Sequence, residues 1–467
     1  MGSRFKKARY TVLKISECCE LKESFMKKSQ RATCVYIFVV LGLLLSGCIP
    51  KPDDTVDQAK VKGKVVLTFW DENAGPSRTP ILQELLRRFE QMNPDIQVKY
   101  EGMPAGINKA KYDLAVASGD LPDAGGINGE WIADYAAKGV LLPLDAYFAD
   151  WPERGQIDPS FIDYNRSLTQ DGKLYQIPST YYLDVFWYRS DWFAAAGLPR
   201  PQTWEDIFRS VRVLANTRQG SFGYSLRGGE GSVAQLTSLM YAYSGITDSF
   251  RKDGSSTVND PVHIEFLKRY LALYKAYTPA SDIVSGYKEV VANFDSGRAA
   301  MIQHNLGSYQ DHKKALGTGH FDGVLLPPSM NGIRTLFGNA NGYGIMRTTR
   351  HPDEAWRLIR YLLSEESQIY WNSQVGQIPT NLKAWNDPYF LSHPVLREAI
   401  EAFRSPDTAF VRAPYELPDY PSLIRLIEPE FQQVLAGTMD VEHFLDFWAQ
   451  LMENSRRQHL LSNEEQL

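Results

Sequence analysis

From Lys64 onward, short β-branched and apolar runs alternate with longer segments whose apolar residues recur every three or four positions. Lys64 to Trp70 reads as a buried strand, and Thr79-Pro80 opens a helix carrying Ile81, Leu82, Leu85, Leu86 and Phe89 on one face. Asn93-Pro94 ends that helix, Ile96-Val98-Tyr100 alternates as a second strand, and a helix from Ile107 to Ser118 stops at Gly119. This order predicts an α/β domain with a parallel sheet. Strands are predicted again after Pro178, around Phe222 to Leu226, and near Val324. Amphipathic helices are predicted over Glu205 to Leu214, Val262 to Tyr277, Pro352 to Ser364, Tyr420 to Leu435 and Val441 to Ser455. Thr203 is placed as the N-cap before Glu205 and Asp206. Phe294 to Met301 reads as a short helix, a glycine turn and the start of a buried strand. Trp187 lies in an alternating strand and is assigned to the core.

The leader has a different pattern. Val35 to Leu45 is apolar apart from Tyr36 and Gly42, and its eleven residues fall short of the roughly 20 that span a bilayer. With Lys27, Lys28 and Arg31 before it, the run suits the apolar region of a signal peptide. It ends in Leu45-Ser46-Gly47-Cys48, which resembles the lipobox of bacterial lipoproteins, where the cysteine thiol takes a lipid and becomes the mature N-terminus. Residues 1–47 are thus expected to be a signal peptide, with Met26 as an alternative start, and 48–63 a linker rich in proline and charge. A lipid on Cys48 would hold the protein at the extracytoplasmic face of the cell membrane.

Charge and cysteine usage narrow the chemistry. The 467 residues hold 50 basic and 55 acidic side chains; nine basic and three acidic precede Cys48, leaving 41 against 52 after it. An acidic mature chain disfavours nucleic acid as a partner. Cys18, Cys19, Cys34 and Cys48 are the only cysteines, so the mature fold has no intrachain disulfide and no thiolate metal site. The eight histidines form no pair at i, i+4, and no Gly-x-Ser-x-Gly, His-Glu-x-x-His, P-loop or dinucleotide fingerprint occurs. No metal, no cofactor and no catalytic residue is expected.

Four segments carry a family resemblance. They are Leu114 to Asp123 (LAVASGDLPD), with Trp131 and Leu141 to Asp145 after it; Tyr175 to Pro178 (YQIP), with Trp187-Tyr188, Phe193 to Gly197 and Pro201 to Trp204; Phe294 to Met301 (FDSGRAAM); and His351 to Trp356 (HPDEAW), with Gln377 to Pro379. In this order and behind a lipobox, the set resembles the family-1, maltose-binding-protein-like extracellular solute-binding proteins over nearly all of Lys64 to Arg457. The resemblance implies a type II periplasmic-binding-protein-like α/β fold: two lobes, a ligand cleft between them, and a hinge crossed three times. The crossings are expected near Pro178 to Tyr182, Arg334 to Gly338 and Pro379 to Asn381. Lobe 1 is then 64–179 plus 339–378, and lobe 2 is 180–338 plus 379–467. It further implies a monomer that captures a sugar or oligosaccharide and delivers it to the membrane permease subunits of an ABC transporter. The ligand-contact segments match less well than the scaffold. A secreted glycan-acting lipoprotein enzyme and a binding protein feeding a sensor kinase are the alternatives.

Candidate ligand contacts follow from position, because loops at the carboxyl ends of strands face the crevice of an open α/β sheet. Trp70, Asp71 and Glu72 follow the first strand; Asn128, Glu130 and Trp131 follow the strand after Asp123. Tyr181 and Tyr182 sit at the first crossing, Arg227 and Glu230 after Gly223 to Leu226, and His304 and Asn305 after Met301-Ile302. Asn339 and Asn341 adjoin the second crossing, and Arg412 lies in a proline-flanked loop. Rings can pack on the C–H faces of a sugar, while carboxylates, amides and arginine pair with hydroxyls. The competing reading is packing for Trp131, Tyr181 and Tyr182, capping for Asp71 and Glu72, turn formation for Asn339 and Asn341, and an interior histidine for His304.

Overall fold

The computed structural model describes residues 63–464 except 105 and 412. The leader and linker, Cys48 included, lie outside the described residues. Strand β1 (Val65–Asp71) is followed by helix α1 (Thr79–Met92), β2 (Ile96–Gly102), helix α2 (Asn108–Ser118) and β3 (Ala124–Ile127). The apolar stripe of α1 is buried on Leu67 and Phe69 of β1 and on Trp356 and Ile359. Asn93 caps its end, and Gly119 ends α2 with φ +77°. Both stops were legible from residue chemistry.

Two long strands organise the rest of the sheet: β4 (Ile177–Tyr188) and β7 (Arg334–Ile345), each twelve residues long. Between them lie β5 (Met301–Asn305) and β6 (Asp322–Leu325), and β8 (Ile378–Pro379) and β9 (Thr408–Val411) come after. The first half of β4 pairs with β7 and β8, and its second half with β5 and β6. Likewise β7 pairs with β9 through Arg334 to Phe337 and with β3 through Gly342 to Ile345. Both strands therefore pass from one group of neighbours to another. They meet along the register Tyr182 to Asn339 and Leu183 to Gly338.

The first strands are parallel as expected from their order, and the sheet as a whole is mixed. Strands β2, β1 and β3 are parallel, whereas β7 runs antiparallel to β3 and β4, and β4 antiparallel to β5 and β6. The reason lies in the two long strands, which run through the middle in opposite directions. Phe222 to Leu226 forms no named strand; it is held by parallel bridges from Phe222 to Ala299 and Ser225 to Ile302. Helix α3 (Trp204–Leu214) starts in a capping box of Thr203 and Asp206, and α4 (Ser232–Ser244) is buried along most of its length. Helix α5 (Pro261–Leu271) ends six residues before the predicted Tyr277, because the chain turns at Lys275, whose φ is +61°. Helices α6 (Pro352–Leu362) and α7 (Tyr420–Ala436) match their patterns, and α8 (Val441–Glu464) runs past Ser455. Trp187 is 1% exposed and packs on Tyr309, His312 and Phe321.

Candidate functional site

Where β4 and β7 cross, the polar ends of several elements converge on a cleft of about 250 Å³. Its first wall begins at the end of β1. Asp71 accepts hydrogen bonds from the Tyr100 hydroxyl at 2.8 Å and from the Asn73 amide at 3.0 Å, which turn the chain. Glu72 follows into the cleft, where its Oε1 accepts from Asn341 Nδ2 at 3.0 Å and its carbonyl accepts from Asn108 Nδ2 at 2.7 Å. Gly126 of β3 makes the room: a Cβ there would stand 2.2 Å from Glu72 Oε2. Burial and the neighbouring Asp71 carboxylate push the Glu72 carboxyl up to about 7. Burial raises Asp71 as well.

Beyond β3, Asn128 caps a short turn by accepting from the Glu130 amide at 3.0 Å, and the same oxygen accepts from Asn339 Nδ2 at 2.8 Å. Glu130 then accepts from the Tyr415 hydroxyl at 3.2 Å, and burial raises its carboxyl. Tyr182 enters from β4, its hydroxyl accepting from Asn73 Nδ2 at 2.8 Å. Two residues on, Asp184 is raised by burial to about 6, against the lowering charge of Arg227.

The opposite wall rests on α4. Buried Gln235 accepts from the Arg227 amide at 3.0 Å and from the Tyr270 hydroxyl at 3.1 Å, and donates to Gln303 Oε1 at 2.9 Å. This fixes the Arg227 loop and β5 against each other. His304 Nδ1 lies 3.1 Å from Ser308 Oγ and 3.2 Å from the Asn305 carbonyl, with its ring 4.6 Å from that of Tyr287. Burial lowers its pKa, so the ring is neutral near pH 7. Three buried polar atoms of cleft residues have no hydrogen-bond partner among the described residues: Arg227 Nε, Asn339 Oδ1 and Asn341 Oδ1. Buried polar groups are normally paired, so these three atoms leave the cleft with unused hydrogen-bonding capacity.

Of the residues expected from sequence, Glu72, Asn128, Glu130, Tyr182, Arg227, His304, Asn305, Asn339 and Asn341 line this one cleft. Asp71 stands behind it as a support for the β1 turn. Four expected residues stand elsewhere. Trp70 packs edge-on against Tyr112 at 5.1 Å, and Trp131 lies 5.5 Å from the same ring and 6.1 Å from Tyr135, because the space behind the first wall is an aromatic core. Tyr181 alternates away from Tyr182 and packs on Phe161 and Phe403. Glu230 is exposed and outside the cleft. Arg412 and Cys48 lie outside the described residues. Sequence reasoning missed Asn73, Asn108, Asp184, Gln235, Gln303 and Tyr415. Asp184 carried a signal, a lone carboxylate inside the apolar strand Leu183 to Tyr188. Tyr415 carried none, since its approach to Glu130 depends on the chain after β9.

The family model described as bacterial extracellular solute-binding protein matches residues 75–369. The chain belongs to this family. A mannitol-binding protein of Pseudomonas aeruginosa is 24% identical over 377 residues, covering 76% of this chain and 82% of the relative. Among solved structures, the ABC substrate-binding protein of Listeria monocytogenes in complex with cycloalternan aligns with a TM-score of 0.72 at 22% identity, over 84% of this chain and 99% of that one. A solute-binding protein of Thermotoga lettingae bound to α-D-tagatose gives 0.72 at 20% identity, over 84% of this chain and 100% of that one. The two-lobe α/β fold expected from sequence is the fold of this solute-binding protein. Among its described residues, no helix is long and apolar enough to cross a membrane, and no group of three His, Cys, Asp or Glu side chains could hold a metal ion.

Proposed function

We propose that this solute-binding protein captures a sugar or polyol in the cleft at the β4–β7 crossing, releases it unchanged, and delivers it to the permease of an ABC importer. One observation carries the reading: Asn73, Asn128, Glu130, Asn339 and Asn341 face Arg227, Gln235, Gln303 and Asn305 across a single cleft holding orphaned donor and acceptor atoms. Hydroxyls both donate and accept, so a polyhydroxylated guest satisfies amides, carboxylates and arginine together. The ligands named for the relatives, mannitol, cycloalternan and tagatose, are of this chemistry.

Lobe 1 is assigned to 64–179 plus 339–378 and lobe 2 to 180–338 plus 379–467, with β4, β7 and β8 as the hinge crossings. A ligand touching both lobes favours the closed form, since those contacts exist together only there. Lipidation at Cys48, after the signal peptide 1–47 and ahead of the linker 48–63, keeps a monomeric protein beside its permease. Titration calorimetry of residues 64–467 against a panel of sugars and polyols, with mass spectrometry of the recovered ligand, tests the reading. Saturable binding with the ligand intact is expected. Conversion of a panel member, or no binding by any, would overturn it.

A further inference from the structure

We infer that the cleft takes one six-carbon polyhydroxylated unit, a hexose or its open-chain alditol, and excludes oligosaccharides; the inference rests on the carbohydrate reading above. Volume comes first. The cleft offers about 250 Å³, and a second sugar ring would double the space that one six-carbon unit demands. Pockets for larger organic ligands run from about 300 to 1,000 Å³.

The lining agrees with the size. An oligosaccharide presents a succession of C–H faces, which are best met by flat exposed rings. The two tryptophans beside the first wall, Trp70 and Trp131, are turned into the aromatic core. Of the rings that line the cleft, Phe337 and Tyr415 are each 4% exposed, and Tyr182, half-buried, is the one tyrosine with a partly free face there. Six asparagines and two glutamines stand among the eighteen lining residues instead. A carboxamide carries a donor pair and an acceptor on one short arm. Such a wall suits a guest whose hydroxyls point in every direction, and provides no platform along which a chain of rings could extend.

The test uses the full-length wild-type chain and calorimetry with hexoses, their alditols, and the di- and trisaccharides built from the same hexoses. The expected result is that the tightest ligand is a single unit, and that every di- and trisaccharide binds at least tenfold more weakly. A di- or trisaccharide within tenfold of the best single unit, or tighter, overturns the inference while leaving the carbohydrate reading intact. Failure of the whole panel overturns both. Whether the alditol or the hexose is the tighter separates the two sources of the shared chemistry.

Discussion

Asn341 donates to Glu72 across 3.0 Å, tying the crossing strand β7 to the turn that follows β1. The contact joins residues 269 positions apart, and both side chains are buried. A neutral amide is the strongest partner the structure gives this carboxyl, since Asp71 beside it repels a second negative charge. The pair ties the two elements at the first wall of the cleft, where burial and Asp71 raise the affinity of Glu72 for a proton.

That arrangement makes stability fall as pH rises. The Glu72 carboxyl, at 4.5 in an unfolded chain and about 7 in the fold, binds its proton more tightly when folded. Its contribution is full below pH 4.5 and is lost as pH rises towards about 7. Glu72→Gln keeps an acceptor for Asn341 and removes the titration. The variant should exceed wild type in stability at pH 8 by up to about 3 kcal/mol, and match it at pH 4. Urea unfolding at the two pH values decides; parallel pH profiles for both proteins would count against a buried, protonated Glu72.

Glu130 and Trp131 are adjacent in sequence and should behave oppositely. Trp131 sits in the core with Tyr112 and Tyr135, so Trp131→Ala should cost about 3–5 kcal/mol of stability. Glu130 lines the cleft and accepts one bond, from Tyr415. Glu130→Gln should change apo stability by less than about 1 kcal/mol and weaken ligand about tenfold or more. Thermal melts with and without ligand measure both. Equal effects on melting temperature would refute the division.

The strand crossing depends on Gly338. A Cβ there would come within 2.2 Å of the Tyr182 carbonyl oxygen, and that oxygen belongs to backbone that cannot swing away. Gly338→Ala should therefore push β4 and β7 apart and destabilise the protein by at least about 1–3 kcal/mol. It should also weaken ligand, since Tyr182 and Asn339 are partners in the same register. Gly75→Ala, where nothing lies within 4 Å and φ is not positive, serves as the control and should stay within about 0.5 kcal/mol of wild type. A Gly338→Ala protein as stable as the control would show that the strands yield easily.

Much of the scaffold was legible because its signals are local. The stripe on α1, the cap at Thr203 and the stops at Asn93 and Gly119 each need only a few neighbouring residues. The mixed sheet was not legible, since direction depends on how β7 returns past β3 and β4. Strand ends located Glu72 and Asn128 in the cleft, but position cannot say which way a side chain points. Trp70 and Trp131 fell to the core because several aromatic rings compete for one apolar space, and that is a tertiary matter. Gln235 and Gln303 were hidden for the opposite reason: they bond each other between a helix and a strand, with nothing in either segment to announce it.

The anchor can be checked in cells. With Leu45-Ser46-Gly47-Cys48 as the processing site, a labelled fatty acid should enter the wild-type protein and not Cys48→Ser. The variant should accumulate as precursor or leave the membrane fraction. Label entering the serine variant would place the attachment elsewhere.

Asp184 gives the sharpest test of how the cleft holds its guest. It is the carboxylate that sequence position did not nominate, set in β4 two residues after Tyr182 and near Arg227 and Gln303. Burial raises it from 3.8 to about 6, so the folded protein carries it ionised at pH 8 and protonated at pH 5. A ligand hydroxyl donating to Asp184 favours the ionised form and is strengthened by it. Hydrogen bonds to a charged group contribute roughly 1.5–3 kcal/mol, or about ten- to a hundredfold in affinity. Asp184→Asn should therefore weaken binding by that factor at pH 8. At pH 5 the wild-type carboxyl is itself neutral, and the two proteins should bind within about threefold of each other, since only a neutral hydrogen bond then separates them. The affinity ratio of wild type to variant should thus climb between pH 5 and 7, the window spanned by the Asp184 titration. Calorimetry at four or five pH values across that range traces the curve, and a ratio that stays flat would mean that Asp184 lines the cleft without touching the ligand.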